Sequence, residues 1–353
     1  LVNLPMDSPL FQQFCHCFPQ FSRATVNNFL LLASALLASR STNLNTLKDR
    51  MGTLLGKPNR QPASHYKRVI RFFNCPQAAA LTQCIQRFTF QLLSERVHYL
   101  ILDSTCWQIG QKWVHLQVLC AVYQGVAIPI LWRDLDRPGT SNTADRQELL
   151  RQAAGLFKLK GKILLADREY VGDDWLRFLA DLGLDFIIRL PASCYKTQVS
   201  NYGILRRKAL RRKRAMATPI LWAGYAFQLV MKKNPAACPG EPVLFWITSL
   251  TSPIVASELY RKRWKIETCF KCLKTNGFNL QQMNIKQPTK IALLLAVVVF
   301  AYVLCLLEGF RERAQIRLKR YQSGASGPAQ SFFKRGIQFI TSGLVDFIVF
   351  LRL

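Results

Sequence analysis

The sequence predicts an all-α amino-terminal part followed by an α/β domain, and three observations carry that reading. Up to about residue 95 the apolar residues recur at helical spacing. From residue 97 onward they gather instead into short runs rich in Val, Ile and Leu, the composition of strands. Two of these runs end directly on an aspartate, which a helix-period pattern would not arrange.

In the amino-terminal part, Val26 to Leu37 is rich in Leu and Ala, and Leu44-Lys48-Met51 and Tyr66-Val69-Ile70-Phe73 repeat at helical spacing. Gly52 to Pro62 is punctuated by Gly, Pro and Asn and reads as a turn. Ser64 is expected to cap the next helix, whose exposed side would carry His65, Lys67, Arg68 and Arg71. Such a pair of helices could read a DNA major groove, with Lys67, Arg68 and Arg71 as contacts. Any small helical domain of a basic protein would look the same, so both readings stay open.

Val97 to Thr105, Trp113 to Tyr123 and Val126 to Arg133 read as three successive strands, the last two joined through Gln124-Gly125. Thr143 to Phe157 follows as a helix, then Lys162 to Asp167 as a strand and Asp173 to Leu182 as a helix. With a helix at 257–274 closing it, this β-β-β-α-β-α order is that of a ribonuclease H-like domain. The first and fourth strands of such a domain are adjacent, which would bring their terminal aspartates together. Phe186 to Arg189, Ile220 to Val230 and Val243 to Thr248 are further strands. Among them lie two basic runs, Arg206-Arg207-Lys208 and Arg211-Arg212-Lys213-Arg214, for which a solvated loop is the plain alternative to a nucleic-acid contact.

The helix 260–274 carries the most chemical information. Tyr260, Arg263, Glu267 and Lys274 point in directions of about 0°, 300°, 340° and 320°, a stripe roughly 60° wide. One carboxylate would stand there among phosphate-binding groups. The competing reading is an ordinary solvated helix in which Glu267 pairs with Arg263 and Lys271. Two other carboxylates weigh against it: Tyr99-Leu100-Ile101-Leu102 runs into Asp103, and Ile163-Leu164-Leu165-Ala166 runs into Asp167. Each resembles a buried parallel strand that delivers an acid at its carboxyl end, although a helix cap or loop Asp could look alike. Acids are scarce here, 20 against 48 Lys and Arg, so their placement carries weight.

Asp103, Asp167 and Glu267, with Tyr260, Arg263, Glu267 and Lys274 in the spacing Y-x-x-R-x-x-x-E-x-x-x-x-x-x-K, resemble the DDE transposases of insertion-sequence family four. Asp167-Arg168-Glu169 is similar to the D-R-E of several members, and Gly139-Thr140-Ser141-Asn142 to their G-x-S-N turn. The resemblance covers roughly residues 97–308 and implies a catalytic domain at 96–308 interrupted by a mostly β insertion at 190–250. A helical DNA-binding domain at 1–95 and a basic tail at 309–353 would flank it. It also implies that Asp103, Asp167 and Glu267 hold two Mg²⁺ or Mn²⁺ ions and that Tyr260, Arg263 and Lys274 hold phosphates at the scissile bond. Arg168, Trp264 and the run Arg211 to Arg214 would be further DNA contacts. Trp264 matches an aromatic on which some relatives stack a flipped base, a use open also to Trp222 and Trp246, for which core packing is the plainer reading. The implied activity is cleavage of terminal inverted repeats and joining of the ends to target DNA, by a homodimer. A catalytically inactive DNA-binding derivative is the alternative.

Composition agrees. A chain of 353 residues with net charge +28 calls for a polyanionic partner, with double-stranded DNA first and an anionic membrane surface second. Eleven cysteines without a framework suggest reduced thiols, and Cys269-x-x-Cys272 has no second pair at zinc-finger spacing. The uncharged run Ile291 to Leu307 is at the short limit for a membrane span. A helix apolar all round is equally what deep burial produces, and a buried helix packed on the sheet is expected, without membrane association. No secretory signal pattern opens the chain, whose first residue, Leu1, suggests a non-standard start or a truncation; a cytoplasmic, nucleoid-associated protein is expected.

Overall fold

The computed structural model describes residues 18–56, 61–93, 97–236, 240–320, 324 and 326–343. The expectation about the amino terminus lies outside them, as do part of the 52–62 turn and the end of the basic tail. The chain divides into two compact units: a helical unit of the described residues up to 93, 107–113 and 270 onward, and a sheet unit of 97–106 and 114–269.

In the helical unit, the amino-terminal helices run Arg23–Ser39, Leu44–Leu54, Pro62–Phe73 and Ala78–Gln91. Ser22 and Asn43 cap the first two by accepting the N–H groups of Thr25 and Asn45. Ser64 does not cap the third. That helix starts after Gln61 with Pro62 in its first turn, where proline's fixed φ suits the geometry and its missing N–H costs nothing. His65 lies on the inner face of this helix and is buried, not exposed as expected, while Lys67 and Arg71 stay exposed and Arg68 is half-buried.

The apolar run at 291–307 belongs to the long helix Pro288–Arg311, long and apolar enough to cross a membrane but mostly buried within its unit. Its ring partners lie on helices rather than strands: Phe300 stands 4.9 Å from Phe29 and 5.8 Å from Phe88. A helix apolar on every side needs neighbours on every side, so residues 270 onward group with the amino-terminal helices instead of breaking away near 308. Against it packs Phe332–Ser342, so closely that a Cβ at Gly336 would fall 1.7 Å from the Cys305 carbonyl oxygen, and one at Gly309 2.0 Å from that of Phe332.

The eight-stranded sheet comprises β1 (Tyr99–Ile109), β2 (Lys112–Tyr123), β3 (Val126–Asp134), β4 (Ile163–Ala166), β5 (Asp185–Arg189), β6 (Met216–Trp222), β7 (Tyr225–Lys233) and β8 (Val243–Thr248). Their order is β3-β2-β1-β4-β5-β8-β7-β6. β1, β4 and β5 are parallel, and β2–β3 and β5–β8–β7–β6 are antiparallel. The strands expected within an insertion therefore continue the central sheet. Ile220 to Val230 is not one strand. β6 and β7 form a hairpin that turns at Ala223 and Gly224, whose φ values of 54° and 85° are those of a primed two-residue turn. Two helices, Ala192–Gln198 and Tyr202–Arg211, add to what was expected to be mostly β.

The segment expected as one helix at 257–274 changes pitch three times. It runs α over Pro253–Leu259, 3₁₀ over Tyr260–Trp264, α over Lys265–Lys271 and π over Cys272–Asn276. A uniform 100° step therefore does not hold along it, and the stripe argument is secure only over its short range.

Candidate active site

Asp103 and Asp167 reach one place because two parallel strands carry them there in register. β1 pairs with β4 from Tyr99 opposite Ile163 to Leu102 opposite Ala166, so the next residue on each side is an aspartate. β1 itself continues to Ile109, so Asp103 lies at the end of the parallel pairing and not at the end of its strand. Neither aspartate caps a helix. Asp103 accepts the N–H of Ser104 at 2.9 Å, and Asp167 that of Arg168 at 2.8 Å, each turning its carboxylate back on its own backbone.

The third acid arrives through Arg263. Its guanidinium donates from Nη1 to Asp103 Oδ2 at 2.9 Å and from Nη2 to Glu267 Oε1 at 3.0 Å, a fork that ties the helical segment to the sheet. The solvated-helix reading is thus half right: Glu267 does pair with Arg263, but the same guanidinium is buried and also holds a strand aspartate. Tyr260 donates its hydroxyl to Asp167 Oδ1 at 3.4 Å, and its ring meets Trp246 edge-on at 5.7 Å between centroids.

The electrostatics follow from crowding acids in a place with little water. Burial raises the Asp103 carboxyl to about 6, against the pull of Arg263 and the Ser104 N–H, and the charges of Asp167 and Glu169 push the same way as burial. Burial also raises the Tyr260 hydroxyl, with Asp167 adding to it. Burial opposes the charge of Arg263, but Tyr260, Asp167, Asp103 and Glu267 outweigh it and hold the guanidinium more firmly protonated than usual. Glu169 Oε1 is buried without a hydrogen bond.

The remaining expected site residues lie as follows. Trp264 is 63% exposed, and the Arg263 guanidinium carbon lies over its ring, 5.8 Å from the centroid. Arg168 is exposed. Lys274 falls in the helical unit, on the π segment, with its ammonium 5.3 Å from the Trp107 ring. The run Arg211 to Arg214 leaves the end of the Tyr202–Arg211 helix and is exposed. Trp222 and Trp246 are core residues; Trp222 donates its indole N–H to Asp173 Oδ1 at 2.8 Å.

Residues 99–304 match the family model described as a transposase DDE domain. The chain belongs to this transposase family. No curated protein matches it. A piggyBac transposase, solved by cryo-EM as a synaptic complex with hairpin DNA, is similar to this transposase at 12% identity, over 99% of this chain and 75% of the other, with a TM-score of 0.49.

Two features of the transposase's site were harder to read from sequence. Glu169 follows Asp167 by two residues in the D-R-E run, and its charge bears on Asp103. Arg146 went unnoticed, although Asn142-x-x-Asp145 spells a capping box that places it on the first turn of the next helix. That box forms, with Asn142 Oδ1 accepting the Asp145 N–H at 2.8 Å and Asp145 Oδ2 accepting that of Asn142 at 3.1 Å.

Proposed function

We propose that this chain is an insertion-sequence transposase of family four that binds terminal inverted repeats, cleaves the ends and joins them to target DNA. The observation that carries this reading is the bridging of Asp103 and Glu267 by Arg263 beside Asp167: residues spread over the chain converge on one cluster in which acid oxygens and a forked phosphate donor lie side by side. The parallel β1–β4 pair flanked by the antiparallel β2–β3 supports a ribonuclease H-like catalytic core, with β6 to β8 as an extension of its sheet.

The donor set suits a hard divalent cation. Three carboxylates supply hard oxygens, Glu169 Oε1 is a buried oxygen without a partner, and burial and acid–acid repulsion raise Asp103, which a cation would relieve. As they stand, no three His, Cys, Asp or Glu side chains among the described residues form a metal-binding group. Asp103, Asp167 and Glu267 would hold Mg²⁺ or Mn²⁺, two ions in all, which when bound would activate the attacking oxygen and stabilise the leaving one. Arg263, with its fork, would turn to the phosphate next to the cut, Tyr260 would donate a hydrogen bond beside Asp167, and Trp264 would offer its exposed ring to a base. Lys274 and Arg168 would add charge to the phosphates. The exposed Lys67 and Arg71, with Arg68, would carry DNA binding on the helical unit, and Arg211 to Arg214 on the sheet unit. A homodimer acting on paired ends in the cytoplasm completes the proposal.

The test is single-turnover cleavage of DNA carrying the inverted repeats that flank the coding region. Asp103→Asn, Asp167→Asn and Glu267→Gln should each abolish Mg²⁺-dependent cleavage and leave end binding within a few-fold, because affinity comes mainly from Lys and Arg contacts to phosphate. A substitution that leaves cleavage intact removes that acid from the site. A wild-type protein that binds the ends but never cuts them would favour the inactive DNA-binding derivative.

A further inference from the structure

We propose that Arg146 is a positioning residue of the acidic site, acting through the face of Tyr170 to hold the turn that carries Asp167 and Glu169. The inference rests on the function proposed above for Asp167. Arg146 is almost fully buried, and a guanidinium is costly to bury unless its donors are used. Its Nε donates to Ser141 Oγ at 2.9 Å and its Nη2 to the Ser141 carbonyl at 2.5 Å, fixing the plane of the group against the turn before its helix. One face of that plane lies 4.8 Å from the Tyr170 ring centroid, within cation–π range.

Tyr170 transmits the position. It is wholly buried, and its N–H donates to the Asp167 carbonyl at 3.0 Å, which closes the turn Asp167–Tyr170. A ring clamped beneath a fixed guanidinium fixes the end of the turn, and the hydrogen bond fixes its beginning. The Tyr170 hydroxyl lies beside Glu169 and Ser104 without a well-formed hydrogen bond, so Tyr170→Phe separates the oxygen from the ring face, to which the holding is assigned. Burial lowers the Arg146 pKa, and Tyr170, Glu169 and Asp145 offset only part of that, so the group depends on the contacts that hold it. None of these contacts touches the reacting atoms.

The experiment compares Arg146→Lys, Tyr170→Leu, Tyr170→Phe and the Arg146→Lys/Tyr170→Leu double variant in the full chain. Each is measured by thermal melting, by end-DNA binding, by single-turnover cleavage at saturating DNA, and by Mn²⁺ binding followed by electron paramagnetic resonance without DNA. Lysine keeps the charge but loses the fork, and leucine keeps apolar bulk but loses the ring face. Both should slow cleavage about tenfold to hundredfold and weaken Mn²⁺ binding several-fold, with end binding unchanged. Tyr170→Phe should cleave at nearly the wild-type rate, and the double variant should be no slower than the slower single, because both act through one contact. If Arg146→Lys fails to fold, Ser141→Ala, which removes one acceptor, should show a smaller loss of the same kind. A folded Arg146→Lys that cleaves and binds Mn²⁺ like wild type overturns the proposal, as do losses that multiply in the double variant. Should Asp167→Asn also cleave normally, it is the function assigned to Asp167 that has failed.

Discussion

At the scale of single residues, the site is a balance between one guanidinium and several acids, and pH tests it. The Asp103 pKa rises from 3.8 to about 6, first because of burial, with Arg263 opposing. An acid whose folded pKa lies above its unfolded one binds its proton more tightly when folded, so this group's contribution to stability is present below about pH 4 and is lost as pH rises to about 6. In chelator, Asp103→Asn should therefore be more stable than wild type at pH 7, by an amount on the order of 2 kcal/mol, and the two should converge near pH 4. Urea midpoints at both pH values check this. A variant less stable than wild type at pH 7 would mean that the Arg263 pair outweighs the burial of the charge. Arg263 itself was legible as a signature residue, but its bond to Asp103, 160 positions earlier, was not, since no local pattern in a helical segment encodes a partner on a distant strand.

At the scale of elements, two packing facts make predictions. The helices Pro288–Arg311 and Phe332–Ser342 cross backbone to backbone at Gly336 and Gly309. Gly336→Ala would drive a methyl into the Cys305 carbonyl, and should destabilise the protein by about 1–3 kcal/mol or more, read as a lower urea midpoint. An unchanged midpoint would show that these helices can slide apart. The Tyr202–Arg211 helix presents a different test. Its basic end is exposed, so replacing Arg211, Arg212, Lys213 and Arg214 with Ala should flatten the slope of log K against log salt for DNA by up to about 3.6 units, roughly 0.9 for each of the four phosphates no longer neutralised. An unchanged slope would make this end a solvated surface.

At the scale of the molecule, the net charge of +28 is spread over both units, and the proposed function divides the labour between them. Arg263→Ala should cut the cleavage rate on the order of 10²-fold while end binding weakens far less, since one fork orients the reacting phosphate. Replacing Lys67, Arg68 and Arg71 together should do the reverse and reduce binding first. One labelled end fragment, a binding titration and a single-turnover time course decide it. Equal losses of binding and cleavage in both proteins would sink the division of labour.

The sequence by itself determined what local pattern can encode. Apolar runs marked β1 to β5 within a few residues, and the aspartates that follow two of those runs and the spacing of Tyr260, Arg263 and Glu267 named the acids that the structure draws together. Where it misled, a competing local rule was at work: Pro62 and not Ser64 began a helix, and Ala223-Gly224 broke an apolar run into a hairpin. Only the tertiary structure decided how far the sheet extends beyond β5, because strand pairing across long separations depends on register and not on composition. It also decided that the long apolar helix is buried among helices, since hydropathy alone reads a protein core and a lipid bilayer alike. And it alone set Arg146 against Tyr170, because the buried guanidinium takes its hydrogen bonds locally, from Ser141, while the ring beneath it comes from a separate turn of the chain.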